Sequence, residues 1–225
     1  MSDLLHFSEH TLQEVALGIM ALVYITRIMW FLRFKAGRDR QAPTGVGMVM
    51  PTRSILYSWA NVALPGSMES TRSRPFLYAQ FVIFHLGVVS AIGLSFIIPY
   101  GPGLLEYKAV QMILQISIGA ACLVGIIRIC RRMGSRYMRA ISTPDDHFSL
   151  LLLTTWFGFA FFAVPNSIEN GEGIMLTYFI LTAFFLLYVP FSKISHYLYY
   201  PFTRYYLGKT LGHRGVFPIK HVSQD

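Results

Sequence analysis

An all-α integral membrane protein, built as a bundle of five transmembrane helices, is the architecture this sequence predicts. Three observations lead there. Charged residues make up 13% of the chain and hydrophobic residues 54%, roughly half the charged share of an ordinary soluble domain. The apolar residues gather into runs close to the ~20 residues that carry a helix across a bilayer. The basic residues fall into three clusters separated by acidic or neutral connections, the alternation that the positive-inside rule demands of successive crossings.

The first span is placed at 12–34, in "LQEVALGIMALVYITRIMWFLRF". The second, "FLYAQFVIFHLGVVSAIGLSFII", covers 76–98, and the third, "YKAVQMILQISIGAACLVGIIRIC", covers 107–130. The fourth is the shorter run 148–164, and the fifth is read as one helix over 174–200. Just before the fourth, "STPDDHF" places Thr143 and Asp145 beside Pro144, a combination suited to a helix start. The 35–75 connection holds an aromatic, apolar stretch, "SILYSWANVALPG", fit to lie among lipid headgroups or to dock a partner. The 201–225 tail is basic and too short for a domain. No internal repeat is visible, which disfavours an inverted-repeat transporter.

Orientation follows from charge. Seventeen of the nineteen lysines and arginines flank the first connection, the third connection and the end of the fifth span. The N-terminus, "PYGPGLLEYK" and "PNSIENGEG" occupy the other side. The N-terminus is therefore expected outside and the C-terminus in the cytoplasm. "MSDLLHFSEH" lacks the basic start and small-residue cleavage site of a secretory signal. The net charge of +8 thus reads as topology and lipid contact, with no nucleic-acid role. The two cysteines, Cys122 and Cys130, share one apolar run with no CxxC or CxxCH pattern. They read as small hydrophobes, and neither covalent haem nor an iron–sulfur cluster is expected from this chain.

Of seven histidines, only His85 lies well inside a span. An ionisable residue there is a functional candidate by default, although a neutral ring bonded between helices is the plainer alternative. His196 falls near the inner end of the predicted fifth span, ahead of Tyr197, Tyr199, Tyr200 and Tyr205, an aromatic interfacial belt. Both rings are expected in the cytoplasmic half of the membrane. Two imidazoles on different helices at similar depth can supply both axial bonds of a haem iron.

"FHLGVV" in the second span and "PFSKISH", followed five residues later by a proline, resemble the gamma subunit of respiratory nitrate reductases, a five-span, N-out membrane cytochrome b. The wording of "STPDDHFSLLLL" and "SKISHYLYYPFTRYYLG" is most similar to the cytochrome b subunits of sulfate reducers' transmembrane redox complexes. The resemblance covers nearly the whole chain. It is specific in the second and fifth spans and loose in the first.

The resemblance implies an electron-transfer subunit of a respiratory complex in the bacterial inner membrane. Haem b would be held at an inner site by His85 and His196. The family's outer haem uses a histidine ten residues after the first ligand and another eighteen before the last. Those positions hold Ser95 and Tyr178 here, so one haem is expected. Eighteen residues at about 100° each are five full turns, so Tyr178 is expected to share a face with His196. His6 or His10 is the only outer imidazole source for a second haem; otherwise both are interfacial. Arg128, Arg131 and Lys193 stand at the level to pair with haem propionates, or else set topology with Arg132. His147 reads as a solvated interfacial residue or a contact to a propionate or quinone. Gly87, Gly93, Gly119 and Gly125 would admit a macrocycle or close helix packing. The implied partners are a heterodisulfide-reductase-like cytoplasmic iron–sulfur subunit, a periplasmic multihaem cytochrome c or other membrane subunits, and the lipid bilayer. A quinone exchanging electrons near the inner haem is a further expectation. The rival class is a haem-free membrane anchor with His85 as a packing residue.

Overall fold

The computed structural model describes residues 2–34, 51–61, 64, 69–169 and 171–219. Among these the regular structure is helical and no strand occurs. Five stretches are long and apolar enough to cross a membrane: Asp3–Arg33, Pro75–Tyr100, Lys108–Gly134, Pro144–Ala163 and Gly173–Phe191. The protein is an all-helical, multi-pass membrane protein. Lys35, Arg38, Arg40, Lys220, His221 and much of the 35–75 connection lie outside the described residues.

In chain order the helices are α1 (Asp3–Glu9), α2 (Thr11–Arg33), α3 (Pro51–Ala60), α4 (Glu69–Ser73), α5 (Pro75–Tyr100), α6 (Lys108–Gly134), α7 (Arg136–Ile141), α8 (Pro144–Ala163), α9 (Gly173–Tyr188) and α10 (His196–His213). The first span starts earlier than its apolar run suggests. Ser2 caps α1 through its hydroxyl, which accepts from the Leu5 N–H at 3.2 Å, and α1 meets α2 at His10. Such a cap satisfies one of the N–H groups a helix start leaves without an internal partner. The Ser2 backbone N–H and hydroxyl also donate to the Glu172 carboxylate, and these bonds hold its carboxyl below the usual range.

The fifth span differs from its prediction. Rather than running to Tyr200, α9 ends at Tyr188, and two 3₁₀ turns, Val189–Phe191 and Lys193–Ser195, precede α10. Pro190 has no N–H to offer the ladder, and its ring clashes with the carbonyl one turn back. Ser192 completes the break: its N–H and hydroxyl both reach the Val189 carbonyl, and its oxygen accepts from Ile194 N. His196 is therefore the first residue of α10. Tyr178 and His196 belong to different helices, and the five-turn face correspondence does not hold.

The chain divides into two compact units. The first, residues 1–27 and 78–194, has a core of Ala91, Leu94, Ile118, Ala121, Trp156 and Phe157, each fully or almost fully buried. Small residues bring its helices together. A methyl on Gly87 would collide with Ala121, one on Gly125 with Thr154, and one on Gly119 would press on the Phe161 ring. Ser90 donates to Ser117 at 2.9 Å across α5 and α6. These three glycines serve close helix approach, the packing mode of membrane bundles. Gly93 has open space where a side chain would stand.

The second unit, residues 28–77 and 195–225, is built on α3 against α10. Ser54 and Ser58 are buried on α3, and Gly208 and Gly212 are buried on α10. A Cβ on Gly208 would come within 2.6 Å of the Ile55 Cα. Trp59 Nε1 donates to the Pro201 carbonyl at 2.9 Å. Helix α10 ends where Gly215 adopts φ 73°: Val216 N–H reaches Leu211 O at 2.9 Å and Gly215 N–H reaches Gly212 O at 3.0 Å, the paired bonds of a Schellman cap.

Gly208→Ala forces backbone apart and should destabilise the second unit by about 1–3 kcal/mol, the usual cost of overpacking. Gly18→Ala, where nothing lies within 4 Å, is the control. Thermal unfolding of both variants in detergent should show a lowered midpoint only for Gly208→Ala.

Candidate functional site

The second span, α5, carries two distinct faces. Phe84, Gly87, Ala91, Leu94 and Ile98 are buried at alternating three- and four-residue spacing. Phe81, His85, Val89, Ile92 and Phe96 form an exposed stripe, again at three- or four-residue steps. An imidazole thus stands in an otherwise apolar row within a membrane helix, where a polar group lacking partners is costly. His85 Nδ1 lies 2.7 Å from the Phe81 carbonyl one turn back, and the Phe81 ring centroid is 4.1 Å from its own. A carbonyl only accepts, so Nδ1 is the donor in this bond, which turns Nε2 away from the helix backbone. Metal-ligating histidines are commonly oriented through this backbone bond.

His85 belongs to the first unit and His196 to the second. His196 is exposed at the start of α10, immediately after the 3₁₀ turns.

A polar network ties the approach to this junction to the start of α8. Thr143 donates to Asp146 through its N–H and its hydroxyl, each at 2.8 Å. Lys193 Nζ lies 3.1 and 3.0 Å from the two Asp146 carboxylate oxygens and 2.8 Å from the Thr143 hydroxyl. Arg132 approaches Asp146 at 3.7 Å and donates to Ser142 at 2.8 Å. Asp145 accepts from the Tyr188 hydroxyl and, at 3.3 Å, from the Lys193 backbone N–H.

The cations singled out by sequence therefore have different surroundings. Lys193 is engaged with a carboxylate of its own chain. Arg128 is half-buried with its guanidinium 5.1 Å from the Phe84 ring centroid, a cation–π distance. Arg131 is exposed, as is His147. Sequence reasoning assigned no role to Arg27. Its guanidinium donates to the Pro190 carbonyl and stands 5.3 Å from the centroid of Phe191. The only sequence signal was a lone arginine inside an apolar span.

Around Tyr178 the interior is filled by side chains. Tyr178 is fully buried, and its hydroxyl donates to the Ala91 carbonyl at 2.7 Å, while the Ser95 hydroxyl donates to the Ile92 carbonyl at 2.7 Å. Its ring stacks on Trp156 at 6.3 Å, and Trp156 stacks on Phe185 at 5.1 Å. Trp156 Nε1 donates to Thr182, whose hydroxyl donates to the Tyr178 carbonyl. His6 and His10 lie 4.8 Å apart, and His10 meets Tyr100 edge-on at 5.5 Å. Among the described residues, no group of three or more His, Cys, Asp or Glu side chains could hold a metal ion.

No family model matches the chain, and no solved structure matches it. A protein of Nitratidesulfovibrio vulgaris strain Hildenborough, named simply "Protein", is 23% identical over 189 residues, covering 82% of this chain and 83% of that one.

Tyr178→Phe removes the bond to Ala91 while keeping the ring. It should lower stability by about 0.5–1.5 kcal/mol, seen as a modestly lower unfolding midpoint in detergent, with unchanged helix content by circular dichroism.

Proposed function

We propose that this chain is the haem b-carrying membrane subunit of a multisubunit respiratory redox complex, with His85 and His196 as axial ligands of one haem. The observation that carries this is the state of His85. It stands on an exposed stripe of a membrane span, with Nδ1 held by the Phe81 carbonyl and Nε2 turned away from the helix backbone. The donor set suits a haem: two imidazoles for iron, and basic side chains able to meet carboxylates. When bound, the group supplies one-electron transfer. The chain's own part would be to present the two imidazoles to the iron.

The Tyr178–Trp156–Phe185 stack supports a single haem. A macrocycle at the family's outer position would have to displace a fully buried aromatic layer and break the Tyr178 hydroxyl bond. The clustering of seventeen of nineteen basic residues supports a periplasmic N-terminus and cytoplasmic C-terminus in a bacterial inner membrane. The basic side then offers a docking face for a cytoplasmic iron–sulfur subunit of the heterodisulfide-reductase-like kind. The opposite side would meet a multihaem cytochrome c or another membrane subunit. A membrane quinone is the alternative electron partner.

One structural observation favours the rival anchor reading. The contacts of His85 with Phe81 are also those of a ring that only packs.

A reduced-minus-oxidised absorbance spectrum of the purified chain, with haem quantified, decides between the two. One low-spin b haem per chain is expected. His85→Ala and His196→Ala should each abolish its signal. A chain without haem leaves the anchor, and two haems per chain overturn the single-site reading.

A further inference from the structure

We propose that Glu9 and Gln13 form a proton-binding site where α1 meets α2, the Glu9 carboxyl holding a proton that it shares with the Gln13 side-chain carbonyl. Leu5, Ser8, Glu9, Gln13 and Ala16 make one buried face of α1 and the first turns of α2. Two backbone bonds carry the helical course across the joint: His10 N–H to the His6 carbonyl at 3.2 Å, and Glu14 N–H to the His10 carbonyl at 2.9 Å. Glu9 and Gln13, four residues apart, are therefore neighbours on that face. Each is only 5% exposed.

The Gln13 amide is fixed in direction. Its Nε2 donates to the Ser8 carbonyl at 3.0 Å and to the Phe179 carbonyl of α9 at 2.7 Å. Turning the amide over would set an oxygen against two carbonyls, so Oε1 is the atom left over. That oxygen is buried without a donor, and so is Glu9 Oε2. Among the described residues, no lysine, arginine or histidine pairs with Glu9. A carboxylate buried as an ion without a counter-charge is very costly. Two adjacent acceptors lack one hydrogen between them, and a proton on Glu9 supplies it: Oε2–H donates and Gln13 Oε1 accepts. The same proton neutralises the carboxyl. A hard metal cation would ask for about six oxygen ligands, more than this pair offers.

The other titratable groups nearby have partners of their own or face outward. Glu14 accepts from the Tyr100 hydroxyl of α5 at 2.8 Å. Glu172, at the head of α9, accepts from Ser2, and Tyr178 of α9 donates to the Ala91 carbonyl. The His6 and His10 rings lie against each other, with His10 edge-on to Tyr100. Asp3 is exposed.

The test is infrared spectroscopy of the full purified chain in detergent at neutral pH, in sodium chloride and in choline chloride. Wild type should show the C=O stretch of a protonated carboxyl in both salts, shifting downward in heavy water. The band should move when the chain is made with glutamate labelled with heavy carbon at its side-chain carboxyl. It should vanish in Glu9→Gln, and in Gln13→Met it should shift to higher frequency as the acid loses its acceptor. The isotope label and Gln13→Met keep the test decisive should Glu9→Gln fail to fold. No protonated band in wild type overturns the proposal in favour of an ionised carboxylate served by water. A band present only in choline overturns it in favour of a sodium site. A band that ignores the label, Glu9→Gln or Gln13→Met overturns the assignment to this pair. None of these outcomes depends on whether the chain carries haem.

Discussion

Hydrocarbon cannot hydrogen-bond a peptide group, so a helix that breaks near the membrane must find new partners for every carbonyl and amide it releases. The chain around residues 189–195 is organised by that requirement. Pro190 starts the break, and each following group is answered from nearby. Arg27 takes the Pro190 carbonyl, Ser192 bridges Val189 and Ile194, and Asp145 accepts from the Lys193 N–H. Lys193 in turn locks onto Asp146 and Thr143. Exposed ion pairs are individually weak, but this set joins three helices and the broken segment at one end of the first unit. It fixes where α9 ends, and hence where α10 and His196 begin.

Most of the helical framework was legible in the sequence because a bilayer imposes a length on apolar runs. Five runs of that length became five long helices, and "STPDD" marked the start of α8 at Pro144. The break in the last run was harder to see. Hydrophobic and aromatic residues continue from Gly173 through Tyr200, so composition alone argues for one long helix. Pro190 and Ser192 were the local signal, outweighed by the apolar residues around them. The same error produced the expected alignment of Tyr178 with His196.

The candidate site was partly legible for related reasons. His85 stood out because an ionisable ring in a span is rare, and its bond to a carbonyl four residues back is a local consequence of the helix. Arg27 was visible as an isolated charge, but its partner is a carbonyl exposed by a break 163 residues away. Lys193 lay at the expected level, yet a carboxylate from another helix claims it. Such pairings depend on tertiary placement, which spacing along one chain does not encode. Gly87, Gly119 and Gly125 left packing and cofactor readings equally open, and only the neighbouring atoms separate them.

The buried layer of Trp156, Tyr178, Phe179 and Phe185 has a consequence beyond shape. Its polar atoms are spent on one another and on backbone: Trp156 on Thr182, Thr182 on the Tyr178 carbonyl, and the Tyr178 hydroxyl on Ala91. A layer closed in this way gives a proton nothing to hop along and an ion nothing to solvate it. The layer leaves none of these polar groups facing the hydrocarbon without a partner.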